Sequence, residues 1–321
     1  MRILSGLIGF AWLCIALPQN AEAADKRNCT AEEREQANKQ LMAIAGNSGL
    51  QNEISRYHAP FGLPAFSFQG NEQILYQGGY IMAHDQDLMT SIWVTYRLTS
   101  IDLDQSSGNI RVECPRADPR LKRGASATTT DYDEPIYDQG HMANDADLKD
   151  NLLQQVNSYV MSNMSPQHGC FNRGIWLSME HLTRRWAEAY SEVYVTSGAI
   201  FDRDGQPGRD EDDNALRMRS RNGKTRVAVP SHFFKSIARV ESGRLQTITF
   251  ILDHDNDFDG TAWSDVRQKV VDAIVPVKEV ELMAGLDLYP ALAGDLIKES
   301  LTGSEWDFSR AGPNSGGTCK I

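Results

Sequence analysis

A chain of 321 residues, 41% hydrophobic and 23% charged, has the material for one sizeable core and excludes a disordered or membrane-embedded polymer. Its formal net charge of −11 argues against a surface built throughout for polyanions, since phosphate contacts come from Lys and Arg. A net charge is an average and does not describe any one face.

The first residues, MRILSGLIGFAWLCIALPQNAEAAD, join a basic Arg2 to an apolar run ending near Leu17 and an Ala21-Glu22-Ala23 site. That order predicts a secretory signal cleaved near Ala23, hence a periplasmic or secreted protein. The run is too short for a good membrane span, and no later segment approaches the length of one. Loss of the leader removes Cys14 and leaves Cys29, Cys114, Cys170 and Cys319. An even set without a CxxC pair, in an exported chain, predicts disulfides rather than zinc, with the pairing open.

Thr30 and Glu33 stand in capping-box spacing and predict a helix over 31–45, inside an N-terminal helical extension of residues 24–57. The stretch HAPFGLPAFSFQGNEQ is turn-rich. ILYQGGYIMAHD and TSIWVTYRLTSIDL then alternate apolar and polar residues and predict antiparallel strands. Residues 105–136 form a polar connection, and SYVMSN (158–163) is expected to be a further strand. From Asn172, NRGIWLSMEHLTRRWAEAYS has a helical apolar period. EVYVTSGAI, KTRVAVPSHFFKSIARV and RLQTITFILD predict more strands, followed by an amphipathic helix near 263–274. The expected architecture is α+β: one domain over 58–300, the extension before it, and an irregular tail over 301–321.

The chemistry concentrates between residues 138 and 180, in DQGH, SNMSPQ, FNRGIW and Glu180. Taken singly, Asn172 is a helix cap, Asn163 a turn residue, Glu180 a solvated helix position and Trp176 core. Together they suit another role. His141 can accept a proton near neutral pH and activate water. The amide oxygen of Asn172 can hold a hard cation that keeps most of its waters, and a carboxylate further on can hold those waters. Eight residues of regular helix span roughly 12 Å, so Asn172 and Glu180 share a metal only through waters or an irregular first turn.

These motifs resemble the active-site signature of the DNA/RNA non-specific endonucleases, the ββα-metal (His-Me finger) family, over residues 58–285. The resemblance implies that His141 is the general base, Asn172 the protein ligand of magnesium (manganese as a substitute), and Glu180 a partner of its waters. Asn163 would support the site, and Gln167 nearby would bind substrate together with Gln139. DNA and RNA would be cut to 5′-phosphate ends; no membrane span is implied, and a homodimer is compatible with it. Two departures stand out. Gln139 replaces the motif arginine, which leaves a hydrogen-bond donor for phosphate but no cation. The arginine expected to touch the scissile phosphate is Arg111 or Arg116, and local spacing does not choose. The rival reading is a catalytically silent binding protein on the same fold.

Other signals carry less. Asp255, Asp257 and Asp259 resemble the front of a calcium loop that lacks its closing glutamate. Arg217, Arg219, Arg221, Lys224 and Arg226 form a basic run expected in an exposed hairpin. Arg184 and Arg185 are expected on the wet face of the long helix, and His168 and His181 at the surface.

Overall fold

Three strands of ten residues each, Thr90–Thr99, His232–Glu241 and Arg244–Asp253, are rich in β-branched and aromatic residues and form the centre of the molecule. They belong to a twisted sheet in the computed structural model, which describes residues 26–67, 70–202, 215–220, 225–257, 263–292 and 296–309. The order across the sheet is 274–275, 244–253, 232–241, 192–200, 90–99, 81–85 and 72–76, each pair antiparallel. Ile297–Glu299 adds in parallel beside Arg244–Asp253. Thr90–Thr99 is buried along nearly its whole length, so both faces of the sheet are covered there. Gly198 marks the tightest contact, because a Cβ at that position would stand 2.0 Å from the Phe234 ring.

On one face lies the helix Leu177–Tyr190, which buries Met179, Leu182, Trp186 and Ala187. Trp186 meets Phe250, Trp306 and Phe308, and its indole Nε1 donates to the carbonyl of Asp307 at 2.8 Å. The segment 301–309 is therefore irregular yet packed into the core; the rest of the tail, with Cys319, lies outside the described residues.

A second, smaller core joins Ala37 to Val112, Cys114, Val156, Tyr159, Met161 and Met164. Here the N-terminal extension is built in. Thr30 caps the helix Ala31–Ala45 with the reciprocal Glu33 bond. Lys26–Asn28 pairs in parallel with Arg111–Glu113, and a Cys29–Cys114 disulfide locks the two strands. Cys170 is disulfide-bonded as well.

Several local expectations need correction. Residues 158–163 are not a strand. Asn151 caps a helix over Leu152–Ser158 by accepting from the backbones of Leu153 and Gln154, and a 3₁₀ turn, Met161–Asn163, follows. The strand begins only at Met164. Thr99 ends its strand by capping a helix, Ser100–Ser106, with Asp102, where strand periodicity had carried the reading further. The polar connection holds the short strand Arg111–Glu113 and a 3₁₀ turn, Thr129–Asp131. The helix near 263–274 runs Trp263–Asp272, and a further helix, Val277–Ala284, was not foreseen. No described helix is long and apolar enough to cross a membrane.

Candidate active site

Strands Tyr137–His141 and Met164–His168 pair antiparallel, with Asp138 opposite Gln167 and His141 opposite Met164. The chain then passes directly into the helical stretch from Gly169 to Tyr190. Alternation along the first strand puts Gln139 and His141 on one face, and both line a cleft of about 640 Å³. Asn172, Arg173, Glu180, His181, Arg184, Arg111, Glu113, Asn144, Asp145 and Tyr159 line it too.

The stretch after the hairpin is not a regular helix. Asn172–Trp176 is a π-turn in which Gly174 takes φ −104° and ψ −106°, and the α-helix begins only at Leu177. Such wide turns recur at functional sites because they re-aim side chains that a regular helix would separate. Here Asn172 and Glu180 face a single cleft despite their spacing. Trp176 closes the unit: its Nε1 donates to the carbonyl of His141 at 3.3 Å, and Phe171 and Phe233 pack against its ring. From the next loop, the backbone N–H of His168 donates to His254 Nε2 at 2.8 Å and that of Cys170 to Asn256 Oδ1 at 3.3 Å.

Asp138, on the other face of its strand, controls the Asn172 amide. Its Oδ2 accepts from Asn172 Nδ2 at 2.9 Å and its Oδ1 from Arg173 at 2.5 Å. A carboxylate can only accept, so Nδ2 must face Asp138, and Oδ1 is left without a hydrogen-bond partner among the described residues. An oriented neutral oxygen is the donor a hard divalent cation takes, and the residues present fit such an ion.

His141 packs edge-on against the Tyr159 ring, 4.7 Å between centroids, and its Nε2 is buried without a hydrogen-bond partner among the described residues. Burial lowers its pKa below the ordinary 6.5; Asp145 pulls the other way and Arg111 adds to the depression. The imidazole is thus neutral at pH 7, as a proton acceptor must be. Glu180 is buried, which pushes its pKa up to about 7 against the pull of Lys235 and Arg184. Lys235 is itself fully buried and held down to about 8; it donates to Ser197 Oγ at 2.8 Å and lies 4.3 Å from the Trp176 ring centroid.

The structure distinguishes the two arginines. Arg111 lines the cleft, donating to Tyr159 Oη at 2.7 Å and pairing with Asp145 at 2.9 Å. Arg116 does not: its buried guanidinium donates to Asn38, Val156 O and Asn157 Oδ1, tying the extension to the body. Gln167 is also away from the cleft, fully buried across Gly140, where a Cβ would come within 2.1 Å of its Oε1. Asn163 lies beneath the cleft. It accepts from Ala143 N at 3.0 Å and donates to Ala143 O and Ser158 O, stapling the backbone that follows His141.

Arg184 and His181 are not the surface residues expected. Arg184 pairs with the buried Asp147 at 2.8 Å and donates to His181 Nδ1 at 3.1 Å, and burial followed by Arg184 holds the His181 pKa down to about 4. Arg185 is exposed, paired with Glu188. His168 is half-buried between Tyr137 and His254. In the basic run, Arg217 donates to the carbonyls of Asp87 and Arg226, and Arg226 to that of Gly124; Arg221 and Lys224 lie outside the described residues, as does Asp259. Helical periodicity missed Arg184 because what covers it is Asp147, 37 residues earlier in the chain. Asp145 opens a 3₁₀ turn and Tyr159 ends the helix Leu152–Ser158, and no local pattern announces that both return to the cleft.

A hairpin running through a π-turn into a helix, with its histidine and asparagine facing one cleft, is the ββα-metal nuclease fold, α+β in class. Comparison with known proteins agrees. The family model for DNA/RNA non-specific endonuclease matches residues 58–294. The mitochondrial endonuclease G of Homo sapiens is 28% identical over 243 residues, covering 74% of this chain and 76% of its own. That of Bos taurus is 27% identical over 263 residues, covering 80% and 81%. A crystal structure of a complex of EndoG with EndoGI superposes with a TM-score of 0.57 at 24% identity, over 77% of this chain and 95% of the other. The chain belongs to the DNA/RNA non-specific endonuclease family and is a nuclease, a hydrolase whose family implies nucleic-acid substrates and a divalent metal ion.

Proposed function

We propose that this chain is an exported, magnesium-dependent endonuclease that hydrolyses both DNA and RNA to 5′-phosphate ends. The observation carrying this reading is the orientation of Asn172 by Asp138, which leaves an amide oxygen in the cleft that holds neutral His141. His141 takes a proton from a water as that water's oxygen bonds to phosphorus and the bond to the 3′ oxygen breaks. The 3′ oxygen leaves as a hydroxyl, taking its proton from solvent. Arg111 holds the scissile phosphate, and Asn163 fixes the backbone behind His141. Magnesium at Asn172, with Glu180 nearby, would supply charge neutralisation at the phosphate oxygens. Contacts to phosphate carry no base information, which accounts for activity on both polymers. Export rests on the leader, which lies outside the described residues.

The test uses the oxidised mature chain with plasmid DNA and ribosomal RNA, in magnesium, manganese or EDTA. Cleavage of both in either metal, silence in EDTA and ends that a ligase accepts without kinase treatment are expected. A well-folded chain cutting neither polymer in any metal would overturn the reading.

A further inference from the structure

The cleft accounts for its cations unevenly. Arg184 is held in a buried pair with Asp147, its side chain 15% exposed. Arg111 is tied to Tyr159 and Asp145 and has its role at the scissile phosphate. Arg173 is different. Its side chain, 39% exposed at the cleft, is as open as that of Arg111 at 40%, but among the described residues it makes one side-chain bond, from a terminal nitrogen to Asp138 Oδ1. That leaves an edge of the guanidinium available to an anion.

Asp138 is the chain neighbour of Gln139, where the family resemblance calls for a cation and this sequence has an amide. The Asp138 bond holds Arg173 in the cleft that Gln139 also lines, its anchor one strand position from the residue that lacks the charge. We propose that Arg173 supplies this positive charge, binding non-bridging oxygens of a backbone phosphate next to the one being cut. Asp138 pre-orients the guanidinium, so little side-chain freedom is lost on binding. An acidic chain can then hold a polyanion in a cleft whose other arginines are already engaged. The role assigned here extends the nuclease reading, but its test does not need cleavage.

Binding of a fluorescein-labelled single-stranded DNA oligonucleotide by the oxidised mature chain is followed by anisotropy in EDTA over a series of salt concentrations. Arg173→Gln is expected to raise Kd about tenfold, the effect of one charge-assisted hydrogen bond. It should also lower the slope of log affinity on log salt by about 0.7, one phosphate contact on a single strand. Arg173→Lys is expected to keep the slope. The magnesium concentration for half-maximal cleavage should be unmoved in both variants. Wild-type Kd and slope in Arg173→Gln would overturn the proposal. So would a shifted magnesium requirement at unchanged Kd, which would mean that Arg173 acts on Asn172 through Asp138. A wild type that binds but does not cut would count against the nuclease reading alone, and the Kd contrast would still decide the role of Arg173.

Discussion

At the scale of single residues, the two arginines preceding Asp118-Pro119 carry opposite predictions. Arg111→Ala removes a half-exposed side chain from the cleft and should lower kcat/KM by about a hundredfold, with thermal stability little changed. Arg116→Met breaks four charge-assisted bonds, three of them buried, and should cost about 3 kcal/mol in urea unfolding while the folded fraction keeps near-normal kcat/KM. Equal losses of activity per folded molecule would contradict the assignment. The pH profile tests His141. Its pKa is lowered by burial, so the free base persists below the ordinary histidine value of 6.5. The acid limb of kcat/KM, read in Glu180→Gln so that the carboxyl pushed up to about 7 does not overlie it, should therefore fall below that value; a limb above it there would mean that the imidazole is stabilised as a cation.

At the scale of elements, His58 links the end of the helix Ser48–His58 to the strand Thr90–Thr99 and to the turn at Gly78. Its Nδ1 accepts from Arg97 N at 3.2 Å, so Nε2 must carry the proton it gives to Gly78 O at 3.0 Å. Only the neutral ring fits, and burial holds its pKa down to about 4. The unfolded chain therefore binds the extra proton between about pH 6.5 and 4, and stability present above 6.5 is lost as pH falls through that window, by about 3 kcal/mol. Urea midpoints of wild type and His58→Gln should converge as pH falls from 7 to 4; parallel curves would refute the linkage. The same scale shows what the sequence made legible. Strands with strong alternation, such as Arg244–Asp253, and the capping box of Ala31–Ala45 are local signals, and they were read correctly. The Met161–Asn163 turn and the π-turn at Gly174 depend on tertiary partners, Asn163 against Ala143 and Trp176 against His141, which no window of sequence contains. His141, Asn172 and Glu180 could be picked out as candidates by residue type and spacing. Asp138, Asp145 and Tyr159 become visible only once the hairpin closes.

At the scale of the whole molecule, the N-terminal extension is part of the cleft's support. Lys26–Asn28 pairs with the strand that carries Arg111, and Cys29–Cys114 closes a sequence separation of 85 residues. Cys29→Ala/Cys114→Ala should lose about 4 kcal/mol of stability by the loop-entropy argument, and kcat/KM should fall through the mobility of Arg111. Full stability and activity in the double variant would make the extension dispensable.

Whether His141 and Asn172 serve one reaction in one cleft is read from single-turnover cleavage of plasmid DNA. Wild type, His141→Ala and Asn172→Ala are compared at saturating magnesium, each with its unfolding curve measured alongside. Rates should be about a thousandfold down in His141→Ala and about a hundredfold down in Asn172→Ala, with folds intact. Rates within a few-fold of wild type in a folded His141→Ala would contradict it and place the chemistry elsewhere.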